Sequence, residues 1–420
     1  MEFSVTGSRW TERSGIEELM EDLGHALAEG GSTMKMLGGG NPAIIPGVAE
    51  CWRRGMQELL TEPNRFDRML AVYDPPKGNS RFALALAGYL QRAYGWNVGA
   101  ENIAITAGGQ TAFFYLFNLL AGEHANGRSK RIVFPIMPEY IGYANQGLDP
   151  DMFMGIAPDI TFTGKHDFKY RVDFSRLKLD ENSAAVCVSR PTNPSGNVLT
   201  NDEMLHLDAL CRDASVPLIV DNAYGAPFPG ILFRSVTPHW NENTILILSL
   251  SKLGLPGTRT GIVIARPEIV HAIAAMNAVA GLANGTIGQA LLTPLLESGE
   301  VDRLAHDHIR PFYVSKAKQA RAWVDELFDP TLDYFVHETE GAMFLWVWFR
   351  DLPITARELY IRLKHRSVLI VPGDYFGFGC EDVMNHVSKC IRLNFAMDES
   401  TVREGIQIIA EELRRIYAGA

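Results

Sequence analysis

Short apolar runs rich in β-branched residues recur at 102–106, 131–134, 184–189, 217–220, 244–249 and 261–265. Each closes in a polar or glycine-rich turn. They show no polar alternation, so both faces of each are apolar. Strands of that kind belong inside a parallel sheet covered by helices. Stretches of helical character separate them. The segment 111–121 is rich in Phe and Leu, and 201–214 opens on Thr200, Asn201, Asp202 and Glu203, a capping sequence. Alternating strands and helices predict an open α/β domain.

The pattern changes near residue 300. A long helix with an early Pro311 is expected over 308–327, then an isolated strand at 342–349 and a helix at 354–365. Strands near 368–371 and 390–395 and a final helix over 400–417 follow. At 420 residues the chain is longer than one core comfortably serves. The expected division is a large domain over 46–304 and a smaller α+β domain from 1–45 and 305–420.

Composition removes several function classes. The net charge is −10 and no basic block occurs, so no nucleic-acid partner is expected. The longest uncharged stretch, 272–296, contains Asn277, Asn284, Gln289 and Pro294 and is expected to be buried protein, with no membrane span. Residues 1–13 are polar and charged, unlike a signal peptide. Five scattered cysteines, none in a Cys-x-x-Cys pair, fit a reducing, cytoplasmic setting and no zinc site. His306, His308 and His386 lack companion ligands and are expected to be solvated or helix-capping, with no metal.

In open α/β sheets ligands sit beyond the carboxyl ends of the strands. The residues just past the predicted strands are therefore the candidates. Gly108, Gly109 and Gln110 open a helix after 103–106; such a turn cradles a phosphate or simply connects strand to helix. Asp221 ends another run, where a carboxylate pairs with a cationic ring nitrogen or caps a turn. Lys252 follows Ser249 and precedes Arg259. A lysine there is either a nucleophile, its pKa lowered by desolvation and nearby cations, or a solvated surface side chain. Asn193 lies in an Asn-Pro-Ser-Gly turn and is placed either to donate to a phenolate oxygen or to serve the turn alone.

Together, Leu37-Gly-Gly-Gly-Asn-Pro42, Ser189-Arg-Pro-Thr-Asn-Pro-Ser-Gly-Asn197, Asp221-Asn-Ala-Tyr-Gly225 and Ser249-Leu-Ser-Lys-Leu-Gly-Leu-Pro-Gly257 resemble the fold-type I aminotransferases of class I/II over nearly the whole chain. The resemblance implies a large domain with a mainly parallel sheet flanked by helices, a smaller α+β domain, and pyridoxal 5′-phosphate (PLP) as cofactor. It implies that Lys252 bonds the cofactor and later carries the proton. Asp221 would pair with the pyridine nitrogen, and Asn193 and Tyr224 would bond its 3-oxygen. Gly108, Gly109, Gln110, Ser249 and Arg259 would bind its phosphate, and Tyr140 would stack on the ring or act as a core aromatic. Tyr73 would reach the phosphate of a partner subunit, implying a homodimer. Arg392 would clamp the substrate α-carboxylate, since its planar fork bonds a carboxylate twice; the alternative is a surface arginine on a strand. Gly39 and Asn41 would lie in the loop that closes over substrate, and Asn41 departs from the residue many relatives carry there.

The expected reaction moves the amino group of an aliphatic amino acid, valine or alanine, to a 2-oxo acid such as pyruvate or 3-methyl-2-oxobutanoate. No second arginine for a dicarboxylate side chain is evident. The apolar stretch 341–346 suits a small aliphatic substrate or a plain core strand equally. A PLP β-lyase of the same fold is the alternative, because fold does not decide reaction. A non-catalytic regulator would carry a basic helix-turn-helix before residue 45. A nicotinamide dehydrogenase would carry Gly-x-Gly-x-x-Gly after a strand. Neither pattern occurs.

Overall fold

The computed structural model describes residues 1–11, 14–28 and 34–419. Its larger sheet runs Ile103–Thr106, Gly261–Ile264, Thr244–Ser249, Leu218–Asp221, Ser183–Ser189, Ser129–Phe134 and Gly122–Glu123, with Phe153–Gly155 also pairing Ser129–Phe134. The central strands are parallel. Every residue of Ser183–Ser189, Leu218–Asp221 and Thr244–Ser249 is buried, as apolar runs without alternation require. Gly261–Ile264 departs from the parallel expectation, being antiparallel to both neighbours. Only residues 250–260 connect it to the preceding strand, and a parallel return needs a crossover of a dozen or more. The tight turns that fill this short connection carry Lys252 and Arg259.

Register lines up the carboxyl ends. Ser189 pairs with Asp221, Asp221 with Ile247, Ser249 with Gly261, and Gly261 with Thr106. Helices cover both faces, among them Gly109–Leu120 and Asn201–Asp213. The second begins with the Thr200/Glu203 capping box that its sequence announces.

A second sheet of six strands runs Val371–Pro372, Cys390–Asn394, Phe344–Phe349, Tyr334–His337, Asp167–Arg171 and Asp159–Phe162. Phe344–Phe349, expected alone, is central in it, because its partners lie far away in sequence. The hairpin 159–171 falls inside the 46–304 segment yet joins this second sheet. The N-terminal segment also packs here. Lys35–Met36 pairs in parallel with Val368–Leu369, and Glu18 accepts from Tyr375 Oη (2.7 Å) and Arg357 Nη2 (3.0 Å). Residues 12–13, 29–33 and 420 lie outside the described part. The expected helix near 308–327 is Arg310–Leu327, with Pro311 in its first turn, where a missing N–H costs nothing. His386 is neither solvated nor a cap: its Nε2 meets Tyr170 Oη at 2.5 Å and its ring packs on Trp348.

Candidate active site

Beyond the aligned strand ends lies a cavity of about 280 Å³. Gly109, Gln110, Tyr140, Asn193, Asp221, Tyr224, Ser249, Lys252, Arg259, Arg392 and Asn41 all line it. These residues come from segments far apart in sequence.

Lys252 sits in the single turn Ser251–Leu253, which ends at Gly254 in the left-handed region (φ +94°). Trp52 Nε1 donates to the Leu253 carbonyl (3.1 Å), tying this turn to the helix Pro46–Thr61. The Lys252 amine donates to Gly40 O at 2.5 Å and stands 5.4 Å from the centre of the Tyr224 ring. Burial lowers its pKa to about 8, with help from Arg392 and Arg259 and against the pull of Asp221.

Asp221 is 8 % exposed. Its Oδ2 accepts from Tyr143 Oη (2.5 Å) and its Oδ1 from Ala223 N–H (2.8 Å). Burial raises its pKa, and those hydrogen bonds together with Lys252 oppose the rise. Tyr224 and Asn193 are buried beside it, and burial raises the Tyr224 pKa.

Arg392 lies on Cys390–Asn394 and is 2 % exposed, so it is not a surface arginine. Its Nη1 donates to Asn193 Oδ1 and its Nη2 to Gly38 O, both at 2.7 Å. Its guanidinium stacks 4.2 Å from the Phe344 ring, and its buried Nε has no hydrogen-bond partner among the described residues. Burial lowers its pKa to about 10.

Gly108 stands at the N-terminus of Gly109–Leu120 with φ +95°, and a Cβ there would meet Arg259 Nη2 at 2.3 Å. The free N–H groups of that helix end, Ser249 and Arg259 thus converge on one space fit for an anion.

Three expected residues do not line the cavity. Gly108 lies just behind its wall. Gly39 turns its carbonyl to Asn394 Nδ2 (2.6 Å). Tyr73 is 80 % exposed. The stretch 341–346 is buried and lines no part of this cavity, while its Phe344 packs against the lining residues Arg392 and Tyr224.

Sequence reasoning passed over Glu139, Tyr143, Ser189 and Asn394. Glu139 stands between Pro138 and Tyr140, and Tyr143 follows three residues later in the same turn, so an aromatic pair around a short turn was the available signal. The helix Gly15–Ala28 supplies Ile16, Leu19 and Met20 to the cavity, a role no motif marks.

The family model for aminotransferase class I and II matches residues 47–409. The chain belongs to the class I and II aminotransferases. It is 45% identical over 418 residues to the valine–pyruvate aminotransferase of Escherichia coli (strain K12), covering 100% of this chain and 99% of that one. A crystal structure of valine–pyruvate aminotransferase from Salmonella typhimurium LT2 superimposes with a TM-score of 0.88 at 42% identity, covering 96% of this chain and 100% of that chain. A kynurenine aminotransferase from Pyrococcus horikoshii, at 23% identity and a TM-score of 0.79, shares the fold.

Aminotransferases of this family use PLP, and the residues present suit it. The space between the helix end at Gly109 and Gln110, Ser249 and Arg259 matches a phosphate, and Gly108 lets the Arg259 guanidinium lie close, since a Cβ there would meet it. Burial and the nearby cations lower the Lys252 pKa to about 8, which raises the share of free amine that bonding an aldehyde requires. Asp221 is a buried carboxylate with no cationic side chain hydrogen-bonded to it, ready for a protonated ring nitrogen.

Proposed function

We propose that this aminotransferase exchanges the amino group of a small aliphatic amino acid, valine or alanine, with a 2-oxo acid such as pyruvate or 3-methyl-2-oxobutanoate. The observation that carries the reading is the convergence of Lys252, Asp221 and Arg392 on one cavity. The substrate class draws support from the relatives named above, and from the cavity itself. Its lining cations are Lys252, Arg259 and Arg392, all with other tasks, while Ile16, Leu19 and Met20 supply apolar surface.

When bound, PLP supplies an aldehyde carbon that accepts the amino group and a ring that withdraws electrons. Lys252 Nζ takes the α-proton, a task for which a pKa near 8 is well matched. Arg392 holds the α-carboxylate, its unpartnered Nε and its Nη2 offering the parallel donors that a carboxylate takes. Asp221 holds the ring nitrogen protonated, and Asn193 and Tyr224 hold the 3-oxygen. Tyr140 packs on the ring. Gly108, Gly109, Gln110, Ser249 and Arg259 hold the phosphate. Gly39 and Asn41 belong to the segment that closes over substrate, where Lys252 reaches the Gly40 carbonyl.

The proposed assembly is a homodimer in which Tyr73 reaches the partner's phosphate. Tyr73, Leu70 and Val72 are exposed together on one segment, apolar surface that a second copy would cover. A cytoplasmic location is supported by five buried, unpaired cysteines. The division into 46–304 and the remainder is retained as a proposal, with the hairpin 159–171 docked on the smaller part. Amino-acid profiling with pyruvate as acceptor tests the substrate. Turnover greatest with a dicarboxylic donor overturns the aliphatic reading. Conversion of bound cofactor to its amine form by amino acid alone separates transamination from a lyase.

A further inference from the structure

At and behind the cavity wall, three side chains without an assigned role, Glu139, Ser189 and Tyr143, connect to Asp221. Glu139 is fully buried, and among the described residues no cationic side chain bonds it. Its Oε1 accepts from Ser189 N–H (2.8 Å) and its Oε2 from Tyr140 N–H (3.2 Å); Oε2 and Ser189 Oγ stand 2.7 Å apart, a hydrogen bond that the Ser189 hydroxyl donates to an ionised Glu139 and accepts from a protonated one. Ser189 Oγ lies 3.4 Å from Tyr143 Oη, which donates to Asp221 Oδ2 at 2.5 Å. Ser189 and Asp221 are paired residues on adjacent strands, and Glu139 and Tyr143 flank one turn, so the backbone fixes all four positions.

We propose that Glu139 is a positioning residue held as the neutral acid, its O–H starting a one-way chain Glu139, Ser189, Tyr143, Asp221 that keeps Asp221 ionised where the cofactor's ring nitrogen docks. An ionised Glu139 would draw the Ser189 hydroxyl proton to itself, and Ser189 could then offer nothing to Tyr143. A protonated Glu139 donates to Ser189 Oγ, Ser189 donates to Tyr143, and Tyr143 donates to Asp221. Hydrogen bonds aligned in one direction strengthen each other.

The surroundings favour the second arrangement. Among the described residues, the titratable groups that act on Glu139 are Asp221, Tyr143 and the buried thiol of Cys187, none of them a cation. Two nearby carboxyls in a dry site do not both ionise readily. Asp221 is the one that faces the Lys252 charge. Burial raises Glu139 to about 8, consistent with the acid form at neutral pH.

The inference rests on Asp221 as partner of the ring nitrogen, and the test separates the two. Infrared difference spectra of the cofactor-free wild type against Glu139→Gln at neutral pH should show a protonated-carboxyl stretch unique to the wild type; a carboxylate band in its place overturns the proposal. PLP titration of cofactor-free protein supplies the second readout. Glu139→Gln, whose amide donates as the acid does, should bind within about threefold of wild type, whereas Glu139→Ala and Tyr143→Phe should lose about tenfold or more. A Gln variant as weak as the Ala variant overturns the relay while leaving Asp221 in place. Wild-type affinity in Asp221→Ala overturns the reading of Asp221 itself.

Discussion

The Arg392 guanidinium donates to the Asn193 side-chain oxygen over 2.7 Å, bridging the second sheet to the loop that leaves a central strand of the first. The two sheets are therefore linked at the cavity by a buried hydrogen bond between residues proposed to hold substrate and cofactor. Removing the arginine leaves the Asn193 oxygen and the Gly38 carbonyl without their donor. Arg392→Lys keeps the charge but loses the fork. We expect kcat/KM to fall about a hundredfold or more for Arg392→Ala, roughly 3 kcal/mol, with only partial recovery in Arg392→Lys. Steady-state kinetics with the best amino donor provides the check.

Lys252→Ala should abolish transamination and the visible absorbance of the bound cofactor. The wild-type amine reacts only when unprotonated. Incorporation of PLP into cofactor-free protein should therefore speed up as pH rises toward about 8 and level off above it. Stopped-flow absorbance across pH reads this directly. A rate that stays flat through that range contradicts the lowered pKa.

Gly108 carries φ +95°, a backbone shape that side chains resist, and its added carbon would press on Arg259. Gly108→Ala should cost about 1–2 kcal/mol of stability and weaken PLP binding about tenfold. Gly109→Ala makes the contrast: its added carbon meets only Ile247 and Ser249 at 3.9 Å. Its thermal unfolding should match wild type, while that of Gly108→Ala drops.

His337 is buried in the second sheet. Its Nδ1 lies 2.8 Å from Glu338 O, and its Nε2 accepts from Tyr170 N–H at 3.1 Å. Burial, then the nearby Lys169, lowers its pKa from 6.5 to about 3. Below pH 6.5 the unfolded chain takes up a proton that the folded chain refuses. The stability contributed by neutral His337 is therefore complete above that pH and is lost as pH falls toward about 3, on the order of 2–4 kcal/mol. His337→Gln should flatten this part of the acid limb, measured by urea unfolding at a series of pH values.

Much of the architecture was legible from local chemistry. Apolar runs without alternation can bury both faces only inside a covered sheet, so the central strands were readable one at a time. The Thr200/Glu203 box and Pro311 marked helix starts because capping and a missing N–H act within one turn. The turn motifs around Asn193, Asp221 and Lys252 were readable for the same reason. Chain direction in the sheet was not: Gly261–Ile264 looks like its neighbours in composition, and only the short connection 250–260 reverses it.

What residue order determined by itself was thus the local part: strand and helix types, and which polar side chains end up just past a strand. What only the tertiary structure decided was who meets whom. Phe344 under Arg392, Glu139 beside Ser189 and Tyr143 on Asp221 join residues through register and packing between distant segments. The same holds for the hairpin 159–171, which leaves the segment around it to join the second sheet. Burial also shifts the proton affinity of Lys252, Glu139 and Asp221, because desolvation depends on what is packed around a group rather than on its sequence neighbours.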